Sequence, residues 1–320
     1  KKIVREELDS RYKFAVRAYE DARSRIALGN VSKDTAGAFS KAPIFKDYTK
    51  PVDYPDYVED KMGEWKSRIV LYSRLFLDNK DVVNSTVSVT YEMRRVLFLS
   101  TDGTLIAENR PSIIFNISAY GMADDGMTLP LNRNYFAFDF DELPSDKELR
   151  KEIQSISAKI SELVNAPVVQ PYTGPALLSG SAAGVFFHEI FGHRIEGQRL
   201  KNDNDGQTFK HMTGKSVLSE LLSVYDDPSM SYYNGIPLYG HYKYDDQGVA
   251  GKKTVVVENG VLKNFLMTRT PINGHPFSNG HARADLVNDP TSRQANLIIE
   301  SHENHSDDQM FKLLKEQIIR

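Results

Sequence analysis

Between residues 5 and 28, Tyr12, Ala15, Val16 and Tyr19 recur three and four apart in a segment of high helix propensity, which predicts a helix. Gly29-Asn30 is a helix-ending pair. The connection that follows carries Pro43, Pro51 and Pro55 and reads as loop. Over residues 58–77, Met62, Trp65, Ile69, Leu71, Tyr72 and Leu75 share a broad apolar side, predicting a second helix. The period then shortens to two. Residues 85–91 alternate, residues 95–100 are β-rich, and Asp102-Gly103 is a strong hairpin signal. Residues 113–117 and 135–138 continue as strands. Helical spacing returns over residues 145–164, behind a Ser/Asp cap, with Leu149, Ile153, Ile156, Ile160 and Leu163 on one side.

The second half reads differently. Pro175-Ala176-Leu177-Leu178 is a short apolar strand candidate, which Gly180-Ser181-Ala182-Ala183-Gly184 turns into a helix. Strands are expected over 216–224, 255–257 and 261–267, with Asn259-Gly260 predicting a type I′ hairpin. A last helix is expected over about 307–319. These elements predict an α+β chain of two domains. Residues 1–165 form N-terminal helices and an antiparallel sheet, closed by a linker helix at about 145–165. Residues 166–320 form a β-rich, incomplete domain that holds the motif helix, with the boundary near Ala166-Pro167.

Length and composition narrow the function. At 320 residues there is room for two ordinary domains. The chain carries 40 Lys+Arg against 43 Asp+Glu, a net charge of −3, so nothing points to nucleic acid or an anionic membrane as partner. No apolar run is long enough to span a bilayer, and the region reads as soluble. The absence of cysteine excludes disulfides, a thiol nucleophile and Cys-ligated metal within these residues. The chain starts at Lys1-Lys2 and stops inside a helical pattern at Arg320, which reads as a fragment or a processed chain. Its compartment is open: a bacterial cytoplasm, or an exported or periplasmic location if a signal was removed upstream.

The densest chemistry is His188-Glu189-Ile190-Phe191-Gly192-His193. A zinc peptidase needs neutral imidazoles to hold the metal and a carboxylate that takes a proton from activated water and returns it to the leaving amine. All three groups stand here within six residues. The apolar Val185-Phe186-Phe187 run predicts a buried helix and dry surroundings. Histidines at i and i+5 diverge by roughly 140° on an ideal α-helix. Joint ligation therefore requires a widened turn, such as a π-bulge, or a helix that ends near Gly192.

Residues 179–197, containing Gly180-Ser181-Ala182-Ala183-Gly184 and the His-Glu motif, resemble the signature of the TldD/PmbA metallopeptidases. Tyr225-Asp226-Asp227, Tyr244-Asp245-Asp246-Gln247-Gly248, the hairpin over 254–268 and Asn279-Gly280-His281-Ala282-Arg283 resemble that family in the same order, as does the β-rich stretch over 94–107. The resemblance covers roughly residues 80–320. It implies the active, TldD-type member, since PmbA-type partners lack the motif. By that match His188 and His193 are zinc ligands and Glu189 is the general base. It also implies a third ligand, a Cys near the C-terminus, expected beyond Arg320; without it this chain is weakly metallated or inactive. The family assembles as homo- or heterodimers enclosing a chamber that admits unfolded peptides. Its older label, modulator of DNA gyrase, finds no basic patch or nucleic-acid motif here.

Other residues are assigned more plainly. His211, His241, His275, His281, His302 and His305 read as polar surface or loop histidines, none having a partner at ligand spacing. Glu196 stands three residues after His193, either as an orienting carboxylate behind a ligand or as a solvated helix-end charge. Asp226-Asp227 and Asp245-Asp246 read as turn chemistry. The expected function is a zinc-dependent peptidase acting on flexible peptides or unfolded proteins. The alternative is a non-catalytic peptide-binding or scaffold subunit paired with an active homologue.

Overall fold

The computed structural model describes residues 2–28, 39–52, 56–201, 206–285 and 288–318. The first helix, α1 (Lys2–Ala27), runs as expected, and Gly29, Asn30 and Pro55 lie outside the described residues. Its apolar positions are not buried: Tyr12 is 70% exposed. Exposed, solvent-screened i,i+4 pairs line it instead, Glu7–Arg11 at 2.8 Å and Asp9–Lys13 at 2.7 Å.

The connection read as loop contains a strand, β1 (Lys46–Tyr48), which pairs parallel with residues 105–107. A three-residue strand held by a distant partner leaves no local period to detect. The second helix, α2 (Asp56–Arg74), buries Val58, Trp65 and Tyr72, while Leu71 faces solvent. The two strands expected over 85–100 are one, β2 (Asn84–Leu99). It pairs residue for residue with β3 (Leu105–Met122) through the Asp102-Gly103 turn, where Gly103 takes φ +100°. β4 (Thr128–Ala137) pairs antiparallel along the far half of β3.

α3 (Asp146–Val164) starts at a capping box: Ser145 Oγ accepts from the Glu148 N–H, and the Glu148 carboxylate accepts from the Ser145 N–H at 2.8 Å. α2 and α3 cover one face of the sheet. Trp65, Tyr72, Ile113, Phe115, Ile117, Leu149, Ile153 and Ile160 form the first core, and Leu163 stays at its edge. The period of two on β3 puts Ile113, Phe115, Ile117 and Ala119 into that core and Glu108, Arg110 and Ser112 on the reverse face.

Residues 175–178 form coil, not the expected strand; among the described residues no backbone pairs with them in a ladder. α4 (Gly180–Ile190) follows. Beyond the motif come β5 (Leu222–Asp226), β6 (Tyr232–Tyr233), β7 (Ile236–Pro237), β8 (Thr254–Glu258), β9 (Val261–Leu262), β10 (Ala282–Arg283), β11 (Thr291–Ser292) and β12 (Leu297–Ser301), then α5 (Asp307–Ile318). The strand expected over 216–224 occupies only its last residues, because Val217 and Leu218 both donate to Gly260 O in a loop instead. That over 261–267 stops at Leu262, after which Leu266 pairs with Glu196. The type I′ hairpin forms, with Asn259 at φ +47° and Gly260 at φ +76°. β12, β5, β8 and β9 make one sheet over a second core containing Phe191, Ile195, Val224, Val256, Leu262 and Phe265.

The cores are joined by polar staples. Buried Arg269 donates to Ser40 O at 2.9 Å and to Asp102 at 3.1 Å. Asp47 on β1 accepts from Tyr244 Oη at 3.0 Å and pairs with Lys243. The fold is α+β, and no helix among the described residues is long and apolar enough to cross a membrane.

Candidate metal centre

Ser179 caps α4, its Oγ accepting from Ala182 N. Gly180 to Gly184 are therefore the first turn of the helix, not a turn leading into it. The helix is also not buried: Val185 is 65% exposed, Phe186 and Ile190 are exposed, and none of its residues is buried. An apolar run is buried only where a partner surface covers it: Phe187 packs against the second core, while Val185 and Phe186 stay exposed.

Of the two geometries open to the i,i+5 histidines, the helix end is the one formed. Phe191 N still donates to Phe187 O, an α-type bond, and no π turn occurs there. The chain then tightens into a 3₁₀ turn over Gly192–Ile195, with Arg194 N donating to Phe191 O. This swings His193 back towards the end of α4. The two imidazole centroids stand 4.7 Å apart, edge to face. Glu189 Oε1 lies 3.8 Å from His188 Nε2, and Oε2 lies 3.6 Å from His193 Nε2. One ligand atom from each of His188, Glu189 and His193 falls within 4.8 Å of the others, the spacing a small cation needs.

Behind His193 the chemistry is fully partnered. Glu196 is 1% exposed and accepts from His193 Nδ1 at 3.0 Å, Arg199 Nε at 2.6 Å and Arg293 Nη1 at 3.1 Å. A carboxylate already receiving two guanidinium groups acts as an acceptor, so the hydrogen of this network sits on His193 Nδ1. In the neutral imidazole that puts the Nε2 lone pair towards Glu189, the tautomer a metal ligand requires. Glu196 is thus not a solvated helix-end charge. Its backbone is held too, since Gly197 N donates to Leu266 O and Leu266 N to Ile195 O.

Gly192, between the histidines, is pressed by Gln294. A Cβ there would lie 1.9 Å from Gln294 Oε1. The Gln294 amide is buried with neither Oε1 nor Nε2 hydrogen-bonded. Arg199, three residues after Glu196, carried a readable i,i+3 signal. Arg293 and Gln294 are about a hundred residues from the motif and gave none.

The segment that supplies them is fixed by an aspartate and a histidine. Asp226 accepts from Ala295 N at 3.0 Å and from His281 Nε2 at 3.2 Å, and Arg293 N donates to His281 O. His281 is fully buried, which corrects its surface assignment: the carboxylate that stabilises it arrives from β5, 55 residues away. Asp245 likewise accepts from Gln247 N, Val249 N and Ala282 N. Burial nevertheless pushes its carboxyl up, from 3.8 to about 6.

Residues 171–319 match the family described as PmbA/TldA metallopeptidase C-terminal domain. The chain is 32% identical over 200 residues to the metalloprotease TldD homolog of Buchnera aphidicola from Acyrthosiphon pisum, covering 60% of this chain and 40% of that protein. It is 34% identical over 112 residues to a zinc metalloprotease TldD homolog of Saccharolobus solfataricus, covering 34% and 23% respectively. The chain spans about half the length of several curated relatives it matches. Among solved structures, a Thermotoga maritima protein provisionally described as a modulator of a DNA gyrase superposes with a TM-score of 0.66 at 17% identity, over 90% of this chain and 63% of its own. At that identity the likeness is one of fold.

Proposed function

Since the chain belongs to the TldD/PmbA family through its residues 171–319, we propose that it is the motif-bearing part of a zinc-dependent peptidase acting on flexible peptides or unfolded proteins. The observation that carries this reading is the convergence of His188, Glu189 and His193 at the end of α4, with His193 oriented from behind by buried Glu196. Two imidazoles with a carboxylate beside them to serve as base suit a zinc site, and the name of one relative includes that metal. When bound, zinc supplies Lewis acidity, polarising a peptide carbonyl and making water a nucleophile near neutral pH.

The residues then divide the work. His188 and His193 hold the ion through nitrogen lone pairs, and Glu196 keeps His193 in the ligating tautomer. Glu189 Oε accepts a proton from the attacking water and delivers it to the leaving amine. By the family resemblance the third ligand is a Cys, a residue type absent from these 320 positions. Pairing with a second copy or with a PmbA-type homologue belongs to the same reading, with the exposed Val185, Phe186 and Ile190 of α4 as its contact.

Elemental analysis of the full-length protein is expected to give about one zinc per chain, lost in His188→Ala. Glu189→Ala is expected to keep the zinc and lose hydrolysis of an unstructured peptide. Continued hydrolysis by that variant sinks the role given to Glu189. No zinc under metal-replete conditions favours the non-catalytic scaffold.

A further inference from the structure

The reverse face of the β2–β3–β4 sheet, away from α2 and α3, meets the loops over 231–243 of the other half. Between them lies a cavity of about 430 Å³, within the size range of small-molecule sites. Its aromatic wall is built from rings in edge contact: Phe136 with Phe138 at 5.0 Å, Phe136 with Tyr239 at 5.1 Å and Phe138 with Tyr232 at 5.6 Å. Of its charged lining side chains, Arg94, Arg110, Lys243 and Arg283 are cationic, and Glu92 and Glu108 anionic.

The cations are placed at a cost. Arg94 and Arg110 stand directly opposite each other in the β2–β3 register, an arrangement that destabilises a strand pair. Arg110 and Arg283 also share one ring, with guanidinium carbons 6.0 Å and 4.9 Å from the Tyr242 centroid. Glu108 pairs with Arg110, and Asp47 with Lys243. Among the described residues, no carboxylate answers Arg94 or Arg283. His241 donates through Nδ1 to Pro228 O at 3.0 Å, which leaves its Nε2 as an acceptor on the lining. Arg283 and Tyr239 also line an adjoining hollow, walled by Arg293 and Gln294, the side chains that reach Glu196 and Gly192. Arg283 and Tyr239 are therefore a wall shared with the hollow behind the candidate metal centre.

We infer that this cavity binds the C-terminal end of a peptide, with its α-carboxylate between Arg94 and Arg283 and an apolar or aromatic last side chain against Phe136, Phe138 and Tyr239. An anion there offsets two arginines that no carboxylate answers, and the aromatic wall selects an apolar body to carry it. The inference rests on the peptide-directed reading above but not on catalysis, so it is tested without metal.

Isothermal titration calorimetry on the whole chain in chelator compares an acetylated tripeptide ending in phenylalanine as free acid and as C-terminal amide. The acid is expected to bind about tenfold tighter or more, the scale of a lost charge-assisted hydrogen-bond pair. Arg94→Gln and Arg283→Gln should each lower that ratio, and together bring it near one. Arg94 is exposed and unpaired, so its replacement leaves the fold intact. Equal binding of acid and amide, or a ratio unchanged in the double variant, overturns the inference. So does competition by inorganic phosphate at the peptide's own concentration, which would make the cavity a general anion site. Acid-selective binding by a protein that shows no hydrolysis when loaded with zinc would uphold this inference and sink only the peptidase. Hydrolysis without acid selectivity would do the reverse.

Discussion

His188 and His193 are five residues apart and stand on different ground. His188 projects from α4, none of whose residues is buried, and among the described residues its ion-pair and ring contacts are with the other two groups of the motif. His193 sits on a 3₁₀ turn between buried Gly192 and fully buried Ile195, with Nδ1 committed to a buried carboxylate that two arginines also bind. Half of the site is thus set by packing before any ligand arrives, and half is set only by its own helix. The lesson is that a metal motif can be rigid at one end and still depend on a partner, ion or neighbouring surface at the other.

The largest test of that asymmetry is in the core. Ile195→Ala should cost about 3 kcal/mol, typical of a fully buried large-to-small change, whereas Ile190→Ala on α4 should stay within about 0.5 kcal/mol. Denaturant unfolding of the two variants measures the difference; equal losses would mean that α4 is as firmly seated as the turn. Next comes the carboxylate pair. Glu196→Ala should cost about 2 kcal/mol, less than a fully enclosed ion pair because Arg199 and Arg293 reach solvent. It should also weaken zinc binding by about 10–100-fold. Glu189→Ala, at an exposed position, should leave the melting temperature unchanged.

A smaller effect sharpens the role of the hinge residue. Gly192→Ala should cost about 1–2 kcal/mol by overpacking against Gln294. Gln294→Ala should restore most of that in the double variant, because the clash is with the end of a flexible side chain. A last test concerns Asp245, whose loop holds the His281 segment. Its carboxyl keeps its proton in the folded state to about pH 6 but only to 3.8 when unfolded. Between those values the folded state binds the extra proton, so this group's contribution to stability falls as pH rises from about 4 to 6 and is flat above. A carbon-detected NMR titration should place its midpoint near 6; an ordinary carboxylate midpoint would remove this pH dependence.

What could be read in advance follows the range of the interactions. α2, α3 with its Ser145 cap, the Asp102-Gly103 hairpin and the Asn259-Gly260 turn depend on neighbours a few residues away, and all are where the sequence puts them. The convergence of the two histidines was readable as a requirement, a helix end near Gly192 being one of two ways to meet it. β1 was not readable, since its partner lies about sixty residues on. Nor were Arg293, Gln294 and the buried state of His281, which depend on chain segments brought together only by the second core. The exposure of α4 was hidden for the opposite reason. Its apolar residues report what they can cover, not whether anything is there to be covered.

β3 serves both halves with one uninterrupted run of backbone. At about 3.4 Å per residue its 18 residues extend for about 60 Å. Ile113 to Ala119 are bedded in the first core, and Arg110 donates to Tyr244 O in the second half. Changing the angle between the halves would mean flexing a strand that is hydrogen-bonded along its length, not rotating a few torsions in a linker. The molecule is built as a beam with two loads rather than as a pair of jaws. Opening of the peptide cavity is therefore expected through its loops, at 231–243, with the beam itself staying straight.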